Sequence, residues 1–319
     1  MALSPAQRLV AADLLRQRAL VDVLARLAEH GVDVLVIKGA ALAHLVYDQP
    51  HHRARCDADL LIHRRQLDAA DRILRAHGYV RQLEPDTEVA SAQRHYAPRQ
   101  PSADSIDLHW RVVNPRVFGE VLPFDDVWPR SIAVPALGQT ARTLAFPDAL
   151  VLACVHRVAH HGDSVEPRWL EDIALLAKRL EPDAARHFVR EAARTGTLAV
   201  CTRSLELAGQ HCDAKVDGLV SQLAAASEEI GPDGVERSVF FIRGPRTLVS
   251  VLASDLRCAT WRDRIRLLGE HLFPSRAYMR AKYPHWPLPL LPLAYPFRVA
   301  RGAPAWFRRD TSGVPFSGS

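Results

Sequence analysis

The pattern of apolar and polar positions switches between helical and strand periods along the first quarter of the chain. Residues 5–30 repeat apolar side chains at helical spacing. The β-branched run DVLVIKG (33–39) predicts a strand and a turn, and AALAHLVY (40–47) predicts a helix. CDADLLIH (56–63) then predicts a second strand, and RRQLDAADRILRAHGY (64–79) an amphipathic helix. This alternation indicates a β-sheet layered against helices.

A third strand candidate, DSIDLHWRVV (104–113), alternates charged and apolar residues. Because successive side chains of a strand point to opposite faces, Asp107 and His109 share one face, and Ile106 and Leu108 the other. A strand that carries charge on one face is an edge strand or the floor of a site.

The second half of the chain has helical periodicity from Pro147 onward, in stretches that end near Gly or Pro. We therefore predict four segments along the chain. They are an N-terminal helix at 1–30, a core at 31–140, a helical domain at 141–283 and a Pro-rich irregular tail at 284–319.

The apolar stretch WPLPLLPLAYPF (286–297) is short and interrupted by prolines. No uninterrupted apolar run approaches the roughly 20 residues that span a bilayer. We interpret the stretch as an extended segment that packs on the domain surface. The alternative is a peripheral contact with a membrane or a partner, helped by Arg298, Arg301, Arg308 and Arg309.

Composition narrows the class of protein. With 319 residues, 48% of them hydrophobic and 24% charged, the chain is ordinary globular material. Its net charge of +5 comes from arginines spread over the chain and does not by itself indicate nucleic-acid binding. The five cysteines are odd in number and form no C-x-x-C motif, which favours reduced thiols. The N-terminus lacks the apolar core of a signal peptide, so we expect a cytoplasmic protein.

The second strand candidate places Asp57 and Asp59 two residues apart, hence on the same face. Leu60 and Ile62 are expected to lie on the opposite face. Two neighbouring carboxylates repel unless a cation or a proton lies between them. Mg²⁺ suits them because it prefers oxygen ligands and leaves coordination positions for substrate phosphates. The alternative is that both acids lie on the solvated face of an amphipathic strand.

The strings IKGAALAHLVY, RARCDADLLI, IDLHW, HRVAHH and RWLEDIALL together resemble the bacterial nucleotidyltransferases of the DNA polymerase beta-like superfamily, specifically the branch described as uncharacterised nucleotidyltransferases. The resemblance covers roughly residues 34–180. It implies an α+β fold with a mixed-sheet core, followed by a helical domain that would cover the cleft. It also implies two Mg²⁺ ions and an NTP as co-substrate, with ATP the expected one.

Carried over residue by residue, the resemblance makes Asp57, Asp59 and Asp107 the catalytic metal ligands and Gly39 the turn that touches the triphosphate. The chain has Lys-Gly where Gly-Ser is more usual in the superfamily. Lys38 could replace the serine, because a cation at a helix N-terminus is a phosphate site. It could also mark a different substrate.

Five further residues are candidates for nucleotide or acceptor contacts. Arg53 and Arg55 could neutralise phosphate charge, or they could be solvated loop arginines. His109 could order a metal-bound water or contact substrate, or it could be a hydrogen-bonded histidine of the strand. His156 and His160 are four residues apart, a spacing that can serve zinc, but packing and hydrogen bonding between domains is the preferred interpretation. Contact of these histidines with the nucleotide or the acceptor is the other alternative. Asp172 could pair with one of these histidines or lie on an open helix face.

The expected reaction is transfer of a nucleoside monophosphate from an NTP to a small-molecule or peptide acceptor, with release of pyrophosphate. One alternative is a catalytically inactive nucleotide-binding module. Another is an RNA-directed nucleotidyltransferase, but the chain shows no RNA-binding module, and we expect no strong nucleic-acid binding. The sequence carries no signal for the oligomeric state.

Overall fold

A seven-stranded mixed sheet organises the protein in the computed structural model, which describes residues 4–85, 87–230, 236–244 and 246–308. The strands are β1 (Val34–Ile37), β2 (Asp57–Ile62), β3 (Tyr79–Arg81), β4 (Gln93–Pro98), β5 (Ser105–His109), β6 (Ile132–Ala133) and β7 (Arg142–Thr143). Their order is β3-β4-β5-β2-β1-β7-β6. The β2–β5 and β1–β7 pairs are parallel and the others antiparallel. The predicted mixed sheet is confirmed.

Helices surround the sheet and make up most of the second half of the described chain. They are α1 (Pro5–Glu29), α2 (Lys38–Leu45), α3 (Leu67–Ala76), α4 (Phe124–Val127), α5 (Phe146–His161), α6 (Pro167–Lys178), α7 (Pro182–Arg194), α8 (Leu198–Cys212), α9 (Asp217–Ile230), α10 (Leu248–Cys258), α11 (Trp261–Leu272), α12 (Arg276–Lys282) and α13 (Ala294–Trp306). The fold is therefore α+β, as predicted.

The two faces of the sheet bury two different apolar clusters. Leu60 and Ile62 of β2 pack with residues of α1 and α3, whereas Leu61 packs with residues of α5 to α8. Because the faces alternate along the strand, Asp57 and Asp59 lie on the Leu61 face. The strand period therefore turns the acids toward the helices of the second half.

The sheet extends slightly beyond the predicted core boundary at residue 140, because β7 pairs with β1 through Arg142 and Leu35. Helices α5 to α9 share one apolar cluster with the strand residues Leu35, Ile37 and Leu61. The division of the chain into domains stays a prediction.

The expectation of an irregular tail is wrong for much of it. Residues 288–293 form a 3₁₀ helix and residues 294–306 form α13. Pro296 is accommodated because it occupies the first turn of α13, where a backbone N–H has no intrahelical partner. Leu291 and Ala294 are buried against Tyr278 and Met279. The end of the predicted tail, residues 309–319, which includes Arg309, lies outside the described residues.

Candidate active site

The parallel pairing of β2 with β5 assembles the carboxylates. Asp59 lies opposite Asp107, Asp57 opposite Ser105, and Leu61 opposite His109. One ligand atom each from Asp59, Asp107 and His109 lies within 4.8 Å of the other two. The strand with charge on one face is thus the floor of a site, because β5 lies in the sheet interior between β4 and β2.

Asp57 is the acid of this floor whose ionisation is disfavoured. Burial, together with the negative charges of Asp59 and Asp107, raises the pKa of Asp57 to about 6. Neighbouring carboxylates repel one another unless a cation lies between them. The floor therefore favours the binding of a cation.

Asp59 is held ionised by two donors. Lys38 Nζ lies 2.6 Å from its Oδ1, and His109 Nε2 donates to the same oxygen at 2.8 Å. Burial alone would raise the pKa of Asp59, but Lys38 and His109 outweigh burial and hold that pKa well below its usual range. Burial and the charge of Lys38 lower the pKa of His109, which therefore acts as a neutral donor.

Lys38 begins α2 in an unusual backbone conformation, with a φ of 55°. A non-glycine residue rarely adopts this left-handed region, and such strain concentrates at functional sites. The ion pair with Asp59 supports this conformation. Lys38 thus contacts the acids of the floor directly, whereas the sequence suggested only a contact with phosphate.

His95 of β4 is a residue that sequence reasoning missed. It lies opposite Asp107 in the antiparallel β4–β5 pair, and its Nδ1 donates to Asp107 Oδ1 at 2.5 Å. The hydrogen bond to Asp107 and the charges of Asp107 and Glu84 outweigh burial and raise the pKa of His95. The alternation of QRHYAP could have indicated a strand that contains His95. It could not have indicated the contact with Asp107, because tertiary structure decides which strand pairs with β4.

Gly39 makes room for a buried arginine. A Cβ at Gly39 would lie 3.2 Å from Arg53 Cζ. Arg53 donates to both carboxylate oxygens of Asp172 at 2.8 and 2.7 Å, and Tyr47 Oη donates to the same carboxylate at 2.8 Å. Neither alternative for Asp172, a pair with a histidine or a place on an open helix face, describes this buried carboxylate. Its pairing with Arg53 instead ties the loop before β2 to α6.

Arg55 is buried and faces other acids. Its guanidinium lies 2.8 Å from Asp13 of α1 and 3.7 Å from Asp104. These two carboxylates neutralise the positive charge of Arg55, which the sequence suggested as a partner of phosphate. Its observed contacts favour a role in holding α1 against the start of β2, and nucleotide binding by Arg55 stays an untested prediction.

Three histidines of α5 face the same cleft. The rings of His156 and His160 stack with centroids 5.0 Å apart, and His161 stacks on Trp169 at 3.6 Å. Burial and the charge of Lys38 lower the pKa of His156 and of His160 well below the usual value. Within the described ranges, neither joins a group of three potential metal ligands. They therefore offer neutral rings to a ligand.

Lys38, the three acids of the floor, His95 and the three histidines of α5 line one cavity of about 1380 Å³, and α11 to α13 provide its far wall. The carboxylate of Glu270 in α11 accepts hydrogen bonds from the backbone N–H groups of Glu88, Val89 and Ala90, which lie in a loop of the cavity wall. Typical small-molecule pockets measure roughly 300–1,000 Å³, so the cavity has room for more than one ligand. Sequence reasoning missed this wall, because its residues lie far along the chain from the floor.

Comparison with known proteins settles the family. Residues 2–213 match the model of a family described as uncharacterised nucleotidyltransferase, which is about two thirds of the chain. The chain belongs to this family. The nucleotidyltransferase resemblance is thereby confirmed, whereas the polymerase beta-like superfamily and the bacterial origin stay predictions. No curated protein matches the sequence.

Several solved structures are distantly similar to this nucleotidyltransferase. The antibiotic-resistance factor ANT(2'')-Ia is 14% identical with a TM-score of 0.40, over 59% of this chain and 96% of its own. A nucleotidyltransferase-like protein from Paracoccidioides brasiliensis is 16% identical with a TM-score of 0.39, over 66% and 92%. JHP933 from Helicobacter pylori is 14% identical with a TM-score of 0.35, over 76% and 98%. At such scores the likeness carries no argument about substrate.

Proposed function

We propose that this nucleotidyltransferase moves a nucleoside monophosphate from an NTP, with ATP the expected donor, to an acceptor in the cytoplasm. The observation that supports this most is the in-register pair Asp59 and Asp107, with Asp57 beside it, on the floor of a large cavity. The acceptor hydroxyl would lose its proton to solvent, and its oxygen would bond to the α-phosphorus. The bond from the α-phosphorus to the oxygen that bridges it to the β-phosphate would break, and pyrophosphate would leave.

The carboxylates suit Mg²⁺, because hard oxygen donors are the ligands it prefers. Asp57, Asp59 and Asp107 would hold the metal, and His109 would orient Asp59, since its Nε2 hydrogen already points at that carboxylate. When bound, two Mg²⁺ ions would neutralise the triphosphate and the developing charge of the transferred group. The raised pKa of Asp57 fits a site that becomes fully ionised when a cation arrives.

The nucleotide phosphates would lie at the N-terminus of α2, where unpaired backbone N–H groups favour anions. Gly39 is buried there, so its backbone approaches the cleft without a side chain. Lys38 neutralises Asp59 in the present arrangement, and metal binding at Asp59 would free its ammonium for phosphate. The neutral rings of His156 and His160 would contact the base or the acceptor.

Pyrophosphate release tests this proposal. The protein is incubated with Mg²⁺ and each labelled NTP against a panel of small-molecule and peptide acceptors. We expect Asp59→Asn to abolish release, whereas the matched variant Asp22→Asn, at an exposed position of α1, should retain it. Equal activity of the parent and Asp59→Asn would refute the proposed chemistry.

Thermal shifts in a two-by-two design separate a catalyst from an inactive binding module. NTP and Mg²⁺ together should stabilise the protein more than the sum of either alone, because the triphosphate completes the metal coordination. Synergy without turnover on any acceptor would favour the binding module. Labelled nucleotide on RNA ends would favour the RNA-directed alternative.

A further inference from the structure

Net charge is unevenly distributed along the chain, mainly because one segment has few acids. Residues 257–308 contain ten Arg and Lys but only two acids, Asp263 and Glu270, a net charge of +8. Since the whole chain carries +5, the remaining residues together carry −3. The segment contains α11 to α13, which lie beyond the residues matched by the family model.

The inner face of α11 is occupied by contacts with the rest of the protein. Leu267 is fully buried, and Asp263 accepts from Arg116 at 2.7 Å. Glu270 accepts from the backbone N–H groups of the cavity loop, as described above. Both acids of the basic segment are therefore engaged on the protein side of the helix.

The outer face of α11 is an exposed apolar stripe. Trp261 is 67% exposed, Ile265 65%, Leu268 40% and Leu272 37%. Their spacing of four, three and four residues places them within roughly 80° around the helix axis. Monomeric soluble proteins seldom expose a contiguous stripe of large aliphatic and aromatic side chains without a partner.

Arginines border this stripe on both sides. At about 100° per residue, Arg264 lies on one flank and Arg262 on the other, and Arg266 lies about 40° beyond Arg262. All three are exposed, and the Arg262 guanidinium lies 5.3 Å from the centre of the Trp261 ring. Arginine stems can cover apolar surface while their charged ends reach outward into polar headgroups.

A second exposed apolar group adjoins the end of α11. Phe273 directly follows the helix and is 68% exposed, and its ring lies 6.1 Å from that of Tyr295 in α13. Arg298 of α13 donates to the backbone oxygen of His271 at 2.8 Å. The first half of α13 therefore lies against the end of α11.

We propose that the outer face of α11, together with Phe273, binds the surface of a bilayer that contains anionic lipids. The stripe would enter the headgroup boundary with Trp261 as an interfacial anchor, and the flanking arginines would contact lipid phosphates. A nucleic-acid backbone would match the arginines but would leave Ile265, Leu268 and Leu272 without a partner. No helix in the described ranges is long and apolar enough to cross a membrane, so the contact is peripheral. This inference does not depend on nucleotidyl transfer.

Vesicle flotation of the full chain tests the proposal. We expect binding to vesicles of phosphatidylcholine with phosphatidylglycerol and weak binding to phosphatidylcholine alone. Ile265→Glu should lower the partition coefficient by about tenfold or more. Leu9→Glu is the matched control, since Leu9 is 64% exposed on α1, and it should bind within about twofold of the parent. Arg262→Gln with Arg266→Gln should weaken binding to the anionic vesicles only.

Three results would overturn the proposal. The first is an Ile265→Glu variant that binds anionic vesicles as tightly as the parent. The second is a dimer in sedimentation that Ile265→Glu converts to a monomer, while the parent ignores vesicles. The third is saturable RNA binding that is insensitive to Ile265→Glu, again without binding to vesicles. Circular dichroism melting would establish that each variant is folded.

Discussion

The floor of the cavity and the outer face of α11 use charge in opposite ways. On the floor, charged groups are buried and fixed in pairs, as Asp59 is by Lys38 and Asp172 is by Arg53. On α11, Arg262 and Arg266 extend into solvent beside exposed apolar residues. Buried charges interact strongly because little water screens them, whereas exposed pairs contribute little to stability. Buried arginines therefore hold the structure of the site, whereas exposed arginines are available to bind a partner.

The largest effect expected from this comparison concerns Arg53. Asp172→Asn would leave a buried guanidinium without its counter-charge, which should cost about 3–5 kcal/mol of unfolding free energy. Glu29→Gln removes an exposed carboxylate that Arg26 contacts at 2.8 Å, and it should cost less than about 1 kcal/mol. Urea unfolding of both variants gives the two values. Similar losses would show that burial is not what distinguishes the two pairs.

Two residues of the floor should affect different kinetic steps. Asp107→Asn should lower the single-turnover rate by about 10²–10³-fold, because it removes a metal ligand. Lys38→Ala should instead weaken NTP affinity by about tenfold, since Lys38 would contact the ground-state phosphates. Single-turnover kinetics at varied NTP measure both parameters. Equal losses in both parameters for both variants would contradict the assigned roles.

The raised pKa of Asp57 predicts an unusual pH dependence for the metal-free protein. Asp57 binds its proton more tightly when folded, with a pKa of about 6 against an ordinary value of 3.8. Between about pH 4 and pH 6 the folded state holds more protons, so stability falls as pH rises, by about 2–3 kcal/mol in total. Asp57→Asn should lack this fall and be the more stable protein at pH 7. Thermal melts of the parent and of Asp57→Asn from pH 4 to 8 measure this difference. Parallel curves of melting temperature against pH would show that the pKa of Asp57 is ordinary.

Two glycines provide the smallest and most direct test of the comparison. Gly39→Ala would press a methyl group against Arg53, which Asp172 holds in place, and should destabilise by about 1–3 kcal/mol. At Gly269 of α11 an added Cβ meets no described atom within 4 Å, so Gly269→Ala should stabilise by about 0.5–1 kcal/mol through helix propensity. Chemical denaturation measures both. If both variants change the unfolding free energy in the same direction, helix propensity and not the space around each glycine determines the effect.

Local periodicity was enough to place the four polar residues of the two site strands correctly. Asp57 and Asp59 share a face in any β-strand, and so do Asp107 and His109, because side chains alternate with a period of two. The helices α1, α2, α3 and α5 to α8 were predictable for the same reason, since their apolar spacing is also a local property of the backbone.

Only the tertiary structure decided which of these faces meet. Asp59 lies opposite Asp107 because β2 and β5 pair in parallel, and His95 reaches Asp107 because β4 pairs on the other side of β5. Arg53 and Asp172 are 119 residues apart, and Glu270 reaches back about 180 residues to Ala90. Such contacts depend on how whole elements pack, which no local propensity encodes. The sequence by itself therefore determined which side chains share a strand face, and long-range packing determined which charges they neutralise.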